Sequence, residues 1–218
     1  MPGEPGAERR APVLPIDSDE GLAAAVDALR RGEVIAFPTD TLYGVGGNAL
    51  DATAARRTYE AKGRPPGKGF PVLLAGAGDS LRLAAEWPTT AARLAEQFWP
   101  GSLTIVVRGR PEVPEETRTG ETVAVRVPGH ARLCEIIRQA GCPLIGTSAN
   151  RSGQPAALTA EDALRAVGGE VALVLDGSRT GGLPSTVVIV EPDRVRITRE
   201  GAVSRAEIEA ALGEPTEC

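Results

Sequence analysis

The strongest constraint on the fold is a short apolar run that empties at once into polar residues. Val34, Ile35, Ala36 and Phe37, bounded by Gly32 and Pro38, are followed by Thr39, Asp40, Thr41 and Tyr43. An unbroken run of this length predicts a strand buried on both faces, so layers must cover it from either side. Open α/β sheets bind ligands at such strand exits. Gly44, Gly46 and Gly47 would let the backbone come close to a ligand, the alternative being an ordinary glycine-rich turn. A second stretch repeats the plan, with a strand predicted over 143–146 ending in Thr147, Ser148, Ala149 and Asn150.

Between and beyond these runs, helices and strands alternate. Leu22, Val26 and Leu29 follow a helical face with Ser18 as N-cap and Gly32 as stop. Asp51 caps a helix reaching Lys62 and ended by Gly63 and Pro65. Strands are predicted over 71–75, 103–107, 122–127 and 171–175, and a hairpin over 186–198. Helical segments are predicted near 80–86, over 89–98, before Gly141 and after Thr159. Ser204 with Glu207 forms a capping box for a last helix. The expected fold class is α/β, one domain over residues 14–213 with an open, twisted mixed sheet and flanking helices. Residues 1–13, with three prolines and two glycines, are expected to form a flexible tail, and residues 214–218 a second one.

Composition removes several function classes. Aromatics are only 3% of 218 residues, too few for a stacking platform for single-stranded nucleic acid. The net charge of −5 argues against indiscriminate nucleic-acid binding, although a local basic cleft can coexist with it. Three cysteines without C-x-x-C spacing and a single histidine support neither a disulfide framework nor a zinc site, so no metal site is expected. No run approaches the ~20 apolar residues of a spanning helix, and the N-terminus lacks the apolar centre of a secretory signal. A soluble, cytoplasmic protein without membrane partners is expected.

Four groups of residues could carry chemistry. Lys62, Arg64 and Lys68 place three cations within seven residues among prolines and glycines. They suit phosphate oxygens or form a solvated basic turn, and the Walker spacing is absent. Ser148 and Asn150 offer donors and acceptors for a ribose, phosphate or base edge, or cap a turn. Ser185 and Thr186 open a strand. Arg126, among valines, must reach an edge or face an anion such as a substrate carboxylate, because a buried unpaired cation is too costly. His130 is most simply a helix start. Neither paired carboxylates for glycoside hydrolysis nor a G-x-S-x-G elbow is present.

Taken together, several segments resemble the YrdC family, the threonylcarbamoyl-AMP synthases of the tRNA N6-threonylcarbamoyladenosine (t6A) pathway. They are P-T-D-T-L-Y-G at 38–44, K-G-R-P at 62–65, W-P-G-S-L-T at 99–104, R-V-P-G-H at 126–130, T-S-A-N-R-S-G at 147–153, S-T-V-V at 185–188 and R-E-G at 199–201. Their joint order is specific where each alone is weak. The length resembles the short, single-domain TsaC-type branch, and Leu73 stands where some members carry a histidine near the threonine.

The resemblance implies a nucleotidyltransferase that joins L-threonine, bicarbonate as co-substrate, and ATP with its Mg2+. Threonylcarbamoyl-AMP and pyrophosphate would be the products. It assigns Thr41 and Arg126 to threonine, and Lys62, Arg64, Lys68, Thr122, Ser148, Asn150, Ser185 and Arg199 to ATP. Lys62, Arg64, Ser148 and Asn150 form the catalytic set. The product would pass to a separate threonylcarbamoyl transferase. The alternatives are a module that binds tRNA or double-stranded RNA on a concave basic surface, and a paralogue of the same fold without synthase activity.

Overall fold

The computed structural model describes residues 11–65, 67–192 and 194–216. The apolar run folds as β2 (Ile35–Phe37), wholly buried. Its side chains divide between two cores, as the sequence requires. Ile35 and Phe37 pack with Val26 and Leu29 of α1 (Asp19–Arg30) and Leu133 and Ile137 of α4 (Ala131–Ala140). Ala36, on the opposite face, packs with Ala163 and Val167 of α5 (Ala160–Val167). Local signals end the helices: Ser18 accepts from the Gly21 amide, Asp51 caps α2 (Ala52–Lys62), and Gly63 takes the left-handed conformation. The Ser204–Glu207 capping box opens α6 (Arg205–Leu212).

The strands form two mixed sheets where a single sheet was expected. One runs β1 (Val13–Pro15), β9 (Val174–Asp176), β2, β3 (Gly44–Gly46) and β8 (Thr147–Ser148). The other runs β11 (Arg194–Arg199), β10 (Thr186–Glu191), β5 (Leu103–Arg108), β6 (Thr122–Arg126), β4 (Val72–Leu73) and β7 (Leu144–Ile145). Residues 144–148 serve both sheets, Ile145 pairing with Val72 and Thr147 with Val45. The chain changes sheet at Gly146, where a Cβ would lie 2.5 Å from Leu73 Cγ. The glycine-rich turn is in fact strand β3. At Gly46 a Cβ would lie 2.0 Å from the Ile145 carbonyl oxygen, so this glycine serves the approach of two strands and not of a ligand.

Side-chain alternation separates core from site in the six-stranded sheet. Leu103, Ile105, Val107, Val123, Val125 and Val188 point into the core shared with α2, α3 (Thr89–Phe98) and α6. Thr104, Val106, Thr122, Ala124, Arg126, Val187 and Ile189 point the other way, into a cavity. The helical segment expected near 80–86 is a 3-10 helix, shifted to Ala77–Arg82.

The terminal expectations need correction where residues are described. Residues 1–10, Glu217 and Cys218 lie outside the described residues. Ala11 is buried and donates to the Gly168 carbonyl at 3.1 Å, the Pro12 carbonyl accepts from Val174 at 2.9 Å, and Val13 begins β1. Main-chain pairing on the open edge of β9 orders these residues, which composition could not disclose. Thr216 likewise folds back, its amide donating to Glu209 at 2.9 Å. Truncation to Leu14 is therefore expected to cost about 2 kcal/mol, from two lost backbone hydrogen bonds at about 1 kcal/mol each. The melting temperature should fall by roughly 4–8 °C, read by thermal unfolding. An unchanged value would show that residues 11–13 contribute nothing.

Candidate active site

A cavity of about 850 Å3 lies between the exit of β2, the end of α2 and the open face of the six-stranded sheet. Thr41, Lys62, Arg64, Lys68, Thr122, Arg126, Ser148, Asn150, Ser185 and Arg199 all line it. Segments remote from one another in the sequence thus converge on one volume.

Arg126 is buried at the end of β6 and is not unpaired. Its Nε donates to the Gly101 carbonyl at 2.8 Å, Nη1 to Thr41 Oγ1 at 3.1 Å and Nη2 to Asp40 Oδ1 at 2.6 Å. Three of five guanidinium N–H groups are so used, leaving one on each terminal nitrogen for an incoming anion. Asp40, and not a substrate alone, answers the charge that the sequence left open. Burial pushes the Arg126 pKa down, while the Asp40 charge and hydrogen bond push it up. Asp40 stood in the sequence as one of several polar residues at the strand exit. The signal for its role was Arg126 itself, a lone cation in an apolar strand that required a carboxylate. Thr39 Oγ1 lies 2.9 Å from Thr41 Oγ1 and donates to the Leu42 carbonyl. The Tyr43 hydroxyl instead turns to the Ser178 carbonyl at 2.9 Å.

On the other side, Lys62 is only 4% exposed. Its Nζ donates to the Ser148 carbonyl at 2.5 Å, the Asn150 carbonyl at 2.9 Å and Asn150 Oδ1 at 3.1 Å. Ser148 Oγ donates to Asn150 Oδ1 at 2.5 Å, and Asn150 Nδ2 to the Gln154 carbonyl at 2.6 Å. Lys62, Ser148 and Asn150 are therefore one hydrogen-bonded unit that pins the end of α2 to the exit of β8. Burial, and then the Arg64 charge, bring the Lys62 pKa from 10.5 to about 8. Three oxygen acceptors favour its ammonium form against that pull.

The remaining predicted residues differ in how firmly they are held. Arg199 donates from Nη2 to Ser185 Oγ at 3.0 Å, and that hydroxyl lies 2.8 Å from Thr104 Oγ1. Burial lowers the Arg199 pKa and the Arg126 charge lowers it further, so the two guanidinium groups sense each other. Arg64 rests over the Phe70 ring, 5.4 Å from its centroid. Lys68 is exposed at the rim, and Thr122 Oγ1 donates to the Thr119 carbonyl at 2.9 Å. His130 caps α4 through Nδ1. Leu73 lines the cavity beside Arg126, with which it pairs across β4 and β6. Among the described residues no three His, Cys, Asp or Glu residues gather as a metal site, and no helix is long and apolar enough to cross a membrane.

The family model Sua5_yciO_yrdC, described as Telomere recombination, matches residues 27–201. A curated protein of Bacillus subtilis named threonylcarbamoyl-AMP synthase is 38% identical over 199 residues, 90% of this chain and 58% of that protein. One of Vibrio cholerae with the same name is 37% identical, over 84% of this chain and 98% of that protein. A crystal structure of P. abyssi Sua5 complexed with L-threonine superposes with a TM-score of 0.89 at 34% identity, covering 95% of this chain and 62% of that one. The chain thus spans little more than half the length of the Bacillus protein.

Proposed function

The chain belongs to the Sua5, YciO and YrdC family, and from that membership we propose that it is a threonylcarbamoyl-AMP synthase. The observation that carries this reading is the opening of two unlike anion-binding groups onto one cavity. Arg126 with Thr41 suits an amino-acid carboxylate, and the Lys62, Ser148 and Asn150 unit with Arg64 and Lys68 suits a polyphosphate. The names of the relatives, and the L-threonine held by the Sua5 structure, support the same substrates.

In this reaction bicarbonate and the threonine amine form a carbamate with loss of water. A carbamate oxygen then attacks the α-phosphorus of ATP as pyrophosphate departs. Two anions must be aligned against their mutual repulsion, and fixed cations at both ends supply alignment and charge stabilisation. The chain needs no nucleophile of its own for this. Magnesium would arrive with the nucleotide, held by its phosphates and water, since Asp40, the acid beside Arg126, is already committed to Arg126 and Ser102. The activated product must be consumed by a separate threonylcarbamoyl transferase acting on tRNA, in the cytoplasm.

The test is pyrophosphate release from ATP with each substrate omitted in turn. Release is expected only with L-threonine and bicarbonate together, and equal turnover with ATP alone would sink the proposal. Direct binding of structured RNA, by contrast, would fall steeply with added salt.

A further inference from the structure

The W-P-G-S-L-T stretch at 99–104 contributes only Thr104 to the cavity lining, yet its polar groups reach Arg126 and, through Ser185, Arg199, two of the three arginines there. The Gly101 carbonyl accepts from Arg126 Nε, and Ser102 Oγ donates to Asp40 Oδ2 at 2.8 Å. Thr104 Oγ1 meets Ser185 Oγ, which accepts from Arg199. Asp40 is therefore gripped at both oxygens, by Arg126 at 2.6 Å and by Ser102 at 2.8 Å. Gly129 closes the far side, where a Cβ would lie 3.2 Å from Asp40 Oδ2.

This arrangement answers a problem of selectivity. An arginine fork matches carboxylate and phosphate alike, and the cavity presents both ends in one volume. At the end of the cavity away from Lys62 and Arg64, Arg126 and Arg199 alone would offer a doubly positive surface, which suits a phosphate dianion better than an amino-acid carboxylate. Asp40 cancels one of these charges and leaves a net of one. A site selects one ligand over another partly by disfavouring the rival. We propose that Asp40, aimed by Ser102, sets both the charge and the direction of Arg126, so that this end of the cavity takes a singly charged carboxylate and refuses phosphate. The assignment of this end to the amino acid rests on the synthase reading; the charge-matching does not. Asp40 and Ser102 are thus positioning residues that act through Arg126.

Asp40→Asn removes charge and keeps shape, whereas Ser102→Ala keeps charge and frees one carboxylate oxygen, Oδ2. Binding of L-threonine, inorganic phosphate and ATP is measured by calorimetry on both variants and on the unaltered protein. Asp40→Asn is expected to bind threonine about tenfold more weakly and phosphate about tenfold more tightly, in competition with threonine, while ATP affinity stays within about threefold. Ser102→Ala should weaken threonine without gaining phosphate, and Ser102→Thr should restore it. Unchanged threonine and phosphate affinities in Asp40→Asn would overturn the proposal. If Asp40→Asn does not fold, equal threonine affinity in Ser102→Ala and the unaltered protein overturns it instead. Should the unaltered protein bind no threonine, the synthase reading fails, and the gain of phosphate affinity still decides the charge-matching.

Discussion

Arg126→Ala is expected to abolish threonine-dependent pyrophosphate release while leaving ATP affinity within a few fold. It should also destabilise the protein by about 3–5 kcal/mol, because removing one partner of a buried ion pair leaves the other without its counter-charge. The side chains of Arg126 and Asp40 are 6% and 18% exposed, so the lower end of that range applies. Adding Asp40→Asn to Arg126→Ala should return part of the stability and none of the threonine use, which separates folding from binding. Lysine at this position should also fail, since one ammonium cannot face Gly101, Thr41 and Asp40 in the directions a planar fork does. Arg64→Ala is the mirror experiment: about tenfold to a hundredfold weaker ATP binding with threonine affinity kept. Calorimetry and thermal unfolding on each variant provide the measurements. Loss of ATP binding in Arg126→Ala with intact threonine dependence would reverse the assignment of the two ends.

Much of this arrangement is legible in the sequence, because it depends on local rules. Strand burial at 34–37, the caps Ser18, Asp51, Thr159 and Ser204, and the stops Gly63 and Gly141 each follow from neighbouring residues alone. The alternation in T-V-A-V-R likewise puts Arg126 opposite the core valines. What stayed hidden depends on partners distant in the chain. Val13–Pro15 is a strand because β9 offers it an edge, and Gly44–Gly46 is a strand because β2 and β8 flank it. The division into two sheets turns on the fit of Leu73 against Gly146, a contact across 73 positions that no periodicity encodes. The site followed the same pattern. Residue types suited to anions could be listed from sequence, but the pairing of Arg126 with Asp40, and the consumption of all three Lys62 protons by Ser148 and Asn150, required the fold.

Lys62 should give two pH dependences of opposite sign. Its folded pKa of about 8 lies below the ordinary 10.5, so burial penalises the ammonium form. That penalty is fully present below about pH 8. Between about 8 and 10.5 the unfolded chain binds more protons, and the contribution of this group to stability therefore rises with pH, by on the order of 3 kcal/mol in all. Nucleotide binding runs the other way, because a polyphosphate prefers the charged amine. ATP affinity should be greatest below about pH 8 and fall above it by up to about tenfold per pH unit, until the raised pKa of the complex is reached. Lys62→Met removes both slopes. It also unties the end of α2 from Ser148 and Asn150, so ATP affinity at pH 7 should fall by about a hundredfold, the upper end for a lost charged hydrogen bond. Urea unfolding and ATP calorimetry between pH 7 and 10, on both proteins, measure the two slopes independently. If Lys62→Met keeps the alkaline loss of ATP affinity, the titrating group is elsewhere and Lys62 serves only as the pin between α2 and β8.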